Sequence, residues 1–271
     1  MKTLLAVLAA LVIVPVATAA YPTPFASQGT AEGLLSLDKT TRFFALGSKD
    51  GLSTRVVARR AGSRMQRASR VLTGSFGIPM LTYNGVTGGL FHDGSAFVLQ
   101  SVQPEEITKF VVLAARDLSV RNTISLDGYF GFDALSPDGS KMYLIQHTST
   151  LDYQHYVVRA FDLRANALLP NKIADKAQES WVMQGTAVAR VTGKGGRWVF
   201  TLYENPGGYP FVHALDTVAG VAHCVGIGWK GSQDPINGFT LSLKTRTLFV
   251  KSGDGTTYRR IDTRTWRVSR P

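Results

Sequence analysis

Cysteine is almost missing from this chain: Cys224 is the only one in 271 residues. A single thiol cannot close an intrachain disulfide, so stability has to come from the core. Within Ala222-His223-Cys224-Val225 the residue reads as a small packed hydrophobe rather than a reactive thiol. Apolar runs long enough to cross a bilayer are missing beyond the first twenty residues. Amphipathic helical periodicity is missing too, and residues 174–179 offer one or two turns at most. Catalytic signatures are equally scarce. No H-E-x-x-H and no G-x-S-x-G occurs, and His92, His147, His155, His213 and His223 show no paired-ligand spacing. The nearest approach to a metal cluster is His147, Asp152 and His155 around one loop, so neither metal nor cofactor is expected. Acidic residues are absent from 51 to 92.

What is present begins with the N-terminal twenty residues. Lys2 is followed by an apolar stretch over 4–16 and by Ala17-Thr18-Ala19-Ala20. This is the order of a secretory signal peptide, and Pro15 and the short apolar stretch argue against a retained anchor. The expectation is a removable signal over 1–20 and a single domain over 21–271, secreted or in the cell envelope, with no transmembrane span after cleavage. The formal net charge of +11 points to anionic partners such as wall polymers, acidic glycans or lipid head groups. Export makes nucleic acid a partner not to expect.

The remainder is organised by repetition. Five segments carry a glycine before an apolar or small run: Glu32-Gly33-Leu34-Leu35, Asn84-Gly85-Val86-Thr87, Phe130-Gly131-Phe132-Asp133, Gln184-Gly185-Thr186-Ala187 and Asn237-Gly238-Phe239-Thr240. These glycines are 52, 46, 54 and 53 residues apart. Each leads through a turn to a β-prone run, as in Ala96-Phe97-Val98-Leu99-Gln100 and Lys141-Met142-Tyr143-Leu144-Ile145. Glycine turns precede three of these runs (His92-Asp93-Gly94, Pro137-Asp138-Gly139 and Lys194-Gly195-Gly196), which is a strong hairpin signal. A third strand ends at Asp117, Asp162, Asp216 and Asp262, and a short fourth strand follows. Four short strands per unit of about fifty residues make the meander of a propeller blade. The expected fold is therefore all-β, a β-propeller of five blades of four antiparallel strands. A sandwich, or six blades, stays open as an alternative.

Ser136-Pro137-Asp138-Gly139-Ser140-Lys141 before an apolar strand resembles the turn of TolB-type propeller repeats. The stretch Arg260-Ile261-Asp262-Thr263-Arg264-Thr265-Trp266-Arg267-Val268 resembles the strand-turn-strand of YVTN and WD40-like repeats. The resemblance covers most of the chain after residue 20 and implies a propeller architecture. Propellers of this kind serve as enzymes, lectins and docking platforms, so it does not choose an activity.

In such a fold the loops entering each first strand meet at one mouth of the central channel. Glu32, Asn84, Phe130, Gln184 and Asn237 are expected there. Phe76, Tyr129, Phe130, Trp181 and Trp229 read as exposed aromatics of the same loops, with Asp133, Glu179 and Asp234 close by. Rings that stack on a pyranose, beside amides and carboxylates that hold hydroxyls, suit a glycan; a peptide is the other candidate. The same residues also have a bland reading, as turn-capping amides and aromatic wedges between blades. Asp133, Glu179 and Asp234 could instead serve a hydrolase acting on glycans or lactones, which needs two carboxylates at defined separation. Finally, Arg55, Arg59, Arg60, Arg64 and Arg67 crowd the first unit, and Arg259 and Arg260 the last. Ring closure would join them into one sector for an anionic wall polymer or surface. The expected function is a non-catalytic binding propeller.

Overall fold

Five antiparallel sheets, each built on a four-stranded meander and two of them extended by a two-residue strand (Ala26–Ser27 and Met183–Gln184), follow one another along the chain in the computed structural model, which describes residues 26–30, 33–102, 106–148, 155–175, 182–205, 208–228 and 236–271. Blade one comprises Leu34–Leu35, Thr41–Gly47, Ser53–Arg60 and Gln66–Thr73. Blade two comprises Phe76–Pro79, Ala96–Ser101, Ile107–Ala114 and Val120–Asp127. Blade three comprises Phe130–Leu135, Lys141–His147, His155–Asp162 and Ala167–Ile173. Blade four comprises Thr186–Thr192, Trp198–Glu204, Phe211–Asp216 and Val221–Gly226, and blade five Thr240–Lys244, Thr247–Lys251, Thr257–Asp262 and Val268–Ser269. Each strand pairs with the next, so the fold is the five-bladed propeller expected from the repeats. The expected signal over residues 1–20 lies outside the described residues.

The second strand of a blade shows why these sequences form sheets buried on both faces. Successive side chains point to opposite faces of a strand. In blade two, Phe97 and Leu99 join the apolar cluster shared with blade one, and Ala96 and Val98 join the cluster shared with blade three. Two further clusters bind blade three to blade four and blade four to blade five. Burying one such side chain fully contributes about 1.5–3 kcal/mol, so these interfaces dominate the stability. Among the described residues no such cluster joins blade five to blade one.

Two expectations about the repeat need correction. Gly85 does not open blade two. That blade begins at Phe76, and its counterpart of Gly131 is Gly77, 54 residues earlier. Thr54 and Thr108 fix this homology. Each threonine hydroxyl donates to a glycine carbonyl (Gly74, 2.8 Å; Gly128, 2.6 Å) and accepts from the amide of Phe76 or Phe130 (2.8 and 2.9 Å). Both glycines are in left-handed backbone, φ 105° and 112°, where a side chain would be strained. Phe76-Gly77 pairs with Gln100-Ser101, and the ladder resumes only at Leu90, opposite Phe97. The chain between makes a hairpin closed by Met80 and Thr87, whose Asn84-Gly85 turn imitates the repeat. Tyr83 N–H donates to the carbonyl of Ala187, on the first strand of blade four, at 2.8 Å. Blades two and four are not neighbours, so this hairpin crosses the central channel.

Asp117 does not end its strand as expected. Asp162, Asp216 and Asp262 end their third strands as expected, and each accepts two amides of the following turn at 2.8–3.0 Å. In blade two the same register position is Ala114, paired with Ala96 as Asp216 is with Trp198. Asp117 lies three residues later and caps the amide of Ser119. Other aspartates are used alike. In the first turn of blades one and three, Ser36 and Ser136 donate to Asp38 and Asp138 at 2.6 Å. These hydroxyl bonds, with amides from Thr40 and Ser140, hold both carboxyls at about 2.

Candidate functional site

Among the described residues, three of the side chains expected at the channel mouth are instead buried in the core. Phe130 is 1% exposed and Phe76 5%, so these expected surface rings are core anchors of their blades. Asp133 is buried as well. Arg190 donates to its carboxylate at 2.6 Å and to its backbone carbonyl at 2.7 Å, and both side chains are 5% exposed. A carboxylate so held ties blade three to blade four and is not free for hydrolytic work. Asn84 is exposed at the tip of the channel hairpin, where its Oδ1 accepts from Thr82. Gln184 is half-buried in a two-residue strand paired with His155. Glu32, Glu179, Trp181, Trp229 and Asp234, and Asp152 of the expected metal loop, lie outside the described residues, as does the side chain of Asn237. Among the described residues no group of three or more His, Cys, Asp or Glu is placed to hold a metal ion.

The basic residues are divided in role. Arg259 is a brace: its guanidinium donates to the carbonyls of Ile227 and Gly228 at 3.0 Å and lies 3.9 Å from the centroid of the Tyr258 ring. Arg59 lies over Phe44 at 5.3 Å, and Arg67 donates to Thr41 at 2.7 Å. Arg55, Arg60, Arg64 and Arg260 are exposed.

A cluster of polar groups is buried between blades three and four. His213, 2% exposed, meets the sulfur of Cys224 through Nδ1 at 3.7 Å, and its Nε2 has no hydrogen-bond partner among the described residues. Burial pushes the imidazole down to about 4 and the Cys224 thiol up to about 12. Cys224 is thus the packed, unreactive residue expected.

Elsewhere, among the described residues, a cleft of about 610 Å³ lies between blades four and five. It opens at the end where the first–second and third–fourth strand turns emerge. Trp198, which begins the second strand of blade four, and His223, on its fourth strand, form one wall with Phe200. Trp266, from the last turn of blade five, packs against this wall. The His223 and Trp266 ring centroids are 4.4 Å apart, and Trp198 meets Trp266 edge-on at 5.3 Å. Lys194, Arg246 and Arg264 rim the cleft, all exposed and none in an ion pair among the described residues.

Trp266 occupies an unusual place. Its amide donates to the carbonyl of Asp262 four residues back, closing a turn that needs left-handed backbone at the donor, and φ there is 60°. Blades three and four put Asn166 and Gly220 at this point, residues that tolerate the conformation. Blade two puts Leu118 there, fully buried as a wedge against blade one. Trp266 carries the same strain yet remains only half-buried, leaving ring surface open to the cleft. Trp198, in a β-prone run, and Trp266, in the repeat turn, were not singled out by sequence reasoning. The signal that could have found Trp266 is a tryptophan where sister turns have asparagine and glycine.

No protein-family model matches the sequence, and no curated protein matches it. Solved structures share the fold. Dihydro-heme d1 dehydrogenase NirN, in complex with DHE, superposes with a TM-score of 0.52 at 15% identity, over 92% of this chain and 47% of that one. TolB from Acinetobacter baumannii superposes at 0.44 and 13% identity, over 82% and 51%. The Dos1 propeller does so at 0.49 and 9% identity, over 88% and 57%. The chain spans about half the length of NirN and of this TolB, and the likeness is one of fold alone.

Proposed function

We propose that this protein is an exported, non-catalytic binding propeller that takes a glycan in the cleft between blades four and five. One observation carries the reading: two tryptophans and a histidine line an open cleft rimmed by three exposed cations. A tryptophan face receives the apolar side of a sugar ring, and lysine and arginine hold acidic substituents or hydroxyls. The strain at Trp266 fits the same purpose, since an unfavourable backbone is retained where the ring's position matters. The glycan class is the one expected from the sequence, while the place differs from the channel mouth, whose Asp133 and Phe130 are committed to the core. The exposed arginines of blade one, Arg55, Arg60 and Arg64, would rest on the anionic surface of the cell envelope.

Intrinsic tryptophan fluorescence, titrated with a short galacturonate oligosaccharide, tests the cleft. Saturable quenching is expected in the wild type and its loss in Trp266→Ala. Equal quenching in both proteins would contradict the assignment.

A further inference from the structure

We infer that the ligand is an acidic polysaccharide chain lying across the whole turn end of the propeller, with one of its residues seated in the cleft. The inference rests on the cleft reading above and adds the ligand's charge and length.

The antiparallel meander brings the first–second and third–fourth turns of every blade to one end. Exposed cations recur there around the propeller. Arg60 and Arg64 stand in blade one, Arg116 in blade two and Arg164 in blade three. Lys194, Arg246 and Arg264 at the cleft rim continue the series into blades four and five. Aspartates are present at this end too, but they face their own turns. Asp38, Asp93, Asp117, Asp138, Asp162, Asp216 and Asp262 each accept turn amides at 2.8–3.1 Å. A short carboxylate folded onto backbone N–H groups is partly neutralised by their dipoles, whereas arginine and lysine reach past it on long stems. An incoming molecule therefore meets the cations first. The described residues of the opposite end carry both signs, with Asp50, Glu106, Asp127, Glu204 and Asp254 among Lys49, Arg55, Lys109, Lys172 and Lys251.

A single sugar could engage only the rim cations of the cleft. The arginines of blades one, two and three stand on other blades, and only an extended ligand with repeated negative charge meets them while one residue occupies the cleft. A second copy of this chain is disfavoured, since two such ends repel each other. Linked weak contacts then add through effective concentration, so affinity should climb with chain length. Exposed charges are screened over about 8 Å at physiological ionic strength, so that gain should fall with salt.

The experiment is calorimetry on the full chain with galacturonate trimer, galacturonate decamer and a neutral galactan decamer at low and physiological salt. Two variants accompany the wild type: Trp266→Ala, and the charge reversal Arg60→Glu/Arg116→Glu/Arg164→Glu, checked by circular dichroism. The acidic decamer is expected to bind at least about tenfold tighter than the trimer at low salt. The charge-reversed protein is expected to lose that gain while holding the trimer as the wild type does. Equal affinity for trimer and decamer, or an undiminished gain in the charge-reversed protein, would overturn the inference and leave the cleft reading standing. A decamer that binds in the expected salt-dependent way while the trimer fails would overturn the cleft reading, and with it the seating of one residue in the cleft that the inference requires. Equal binding of the neutral decamer, or tighter binding of single-stranded DNA or anionic lipid vesicles, would also overturn it.

Discussion

At the scale of single residues, short polar side chains do most of the local work, and their geometry separates structural aspartates from functional ones. Asp38, Asp138, Asp162 and Asp262 are turn caps, each bonded to amides within three residues. Trp266 breaks the pattern, because a bulky side chain there works against the turn. Trp266→Asn is expected to be more stable than Trp266→Ala by about 0.5–1 kcal/mol in urea denaturation, since asparagine tolerates left-handed backbone better. Both substitutions should abolish the fluorescence response to ligand. His213 gives a pH dependence of defined sign. Its folded form is neutral down to about 4, whereas the unfolded chain takes up the proton near 6.5. Between those values the unfolded state holds more protons, so stability falls as pH drops, by about 3 kcal/mol across the window. Phenylalanine in place of His213 should flatten the unfolding curve between pH 7 and pH 4. The turn aspartates act lower: with folded values depressed toward 2, their contribution is lost only as pH falls below about 4.

At the scale of elements, the blades are joined by recurring devices. Thr54 and Thr108 each stitch a third strand to the connector and first strand of the following blade. Thr54→Val and Thr108→Val should each cost about 1–3 kcal/mol, because each strands a buried amide, and the costs should add across separate joins. The Arg190–Asp133 pair is the charged counterpart between blades three and four. Asp133→Ala should cost about 3–5 kcal/mol by leaving a buried guanidinium uncompensated, and the double variant Asp133→Ala/Arg190→Met should recover much of it. Thermal or urea denaturation reads both. The second strands and their Asp-Gly turns were legible in the sequence, because turn chemistry and apolar runs are local signals. The first strand of blade two was not. It is split by an excursion across the channel, and Asn84-Gly85 supplies a turn signal at nearly the right spacing. Asp117 misled in the same way, since a capping aspartate three residues late looks like the strand-ending one. Phe76 and Phe130 looked exposed because each follows a glycine connector, while their burial depends on contacts with another blade.

At the scale of the whole molecule, the propeller separates two kinds of surface. The channel is crossed by the hairpin of blade two, whose Tyr83 bonds to blade four, so a ligand there would compete with a built-in segment. The turn end carries exposed cations in every blade, beside its turn-capping aspartates, and holds the aromatic cleft. The excess of basic residues was plain from composition, but its placement was not, because it depends on which turns the meander gathers at one end. The central claim is that ligand binds at this end. Two-dimensional NMR of the four tryptophan indole N–H groups, assigned by substitution and followed through a galacturonate titration, tests it most directly. The Trp198 and Trp266 signals are expected to move together and saturate, while Trp181 and Trp229 stay in place. Movement of Trp181 and Trp229 alone would return the site to the channel mouth and contradict it.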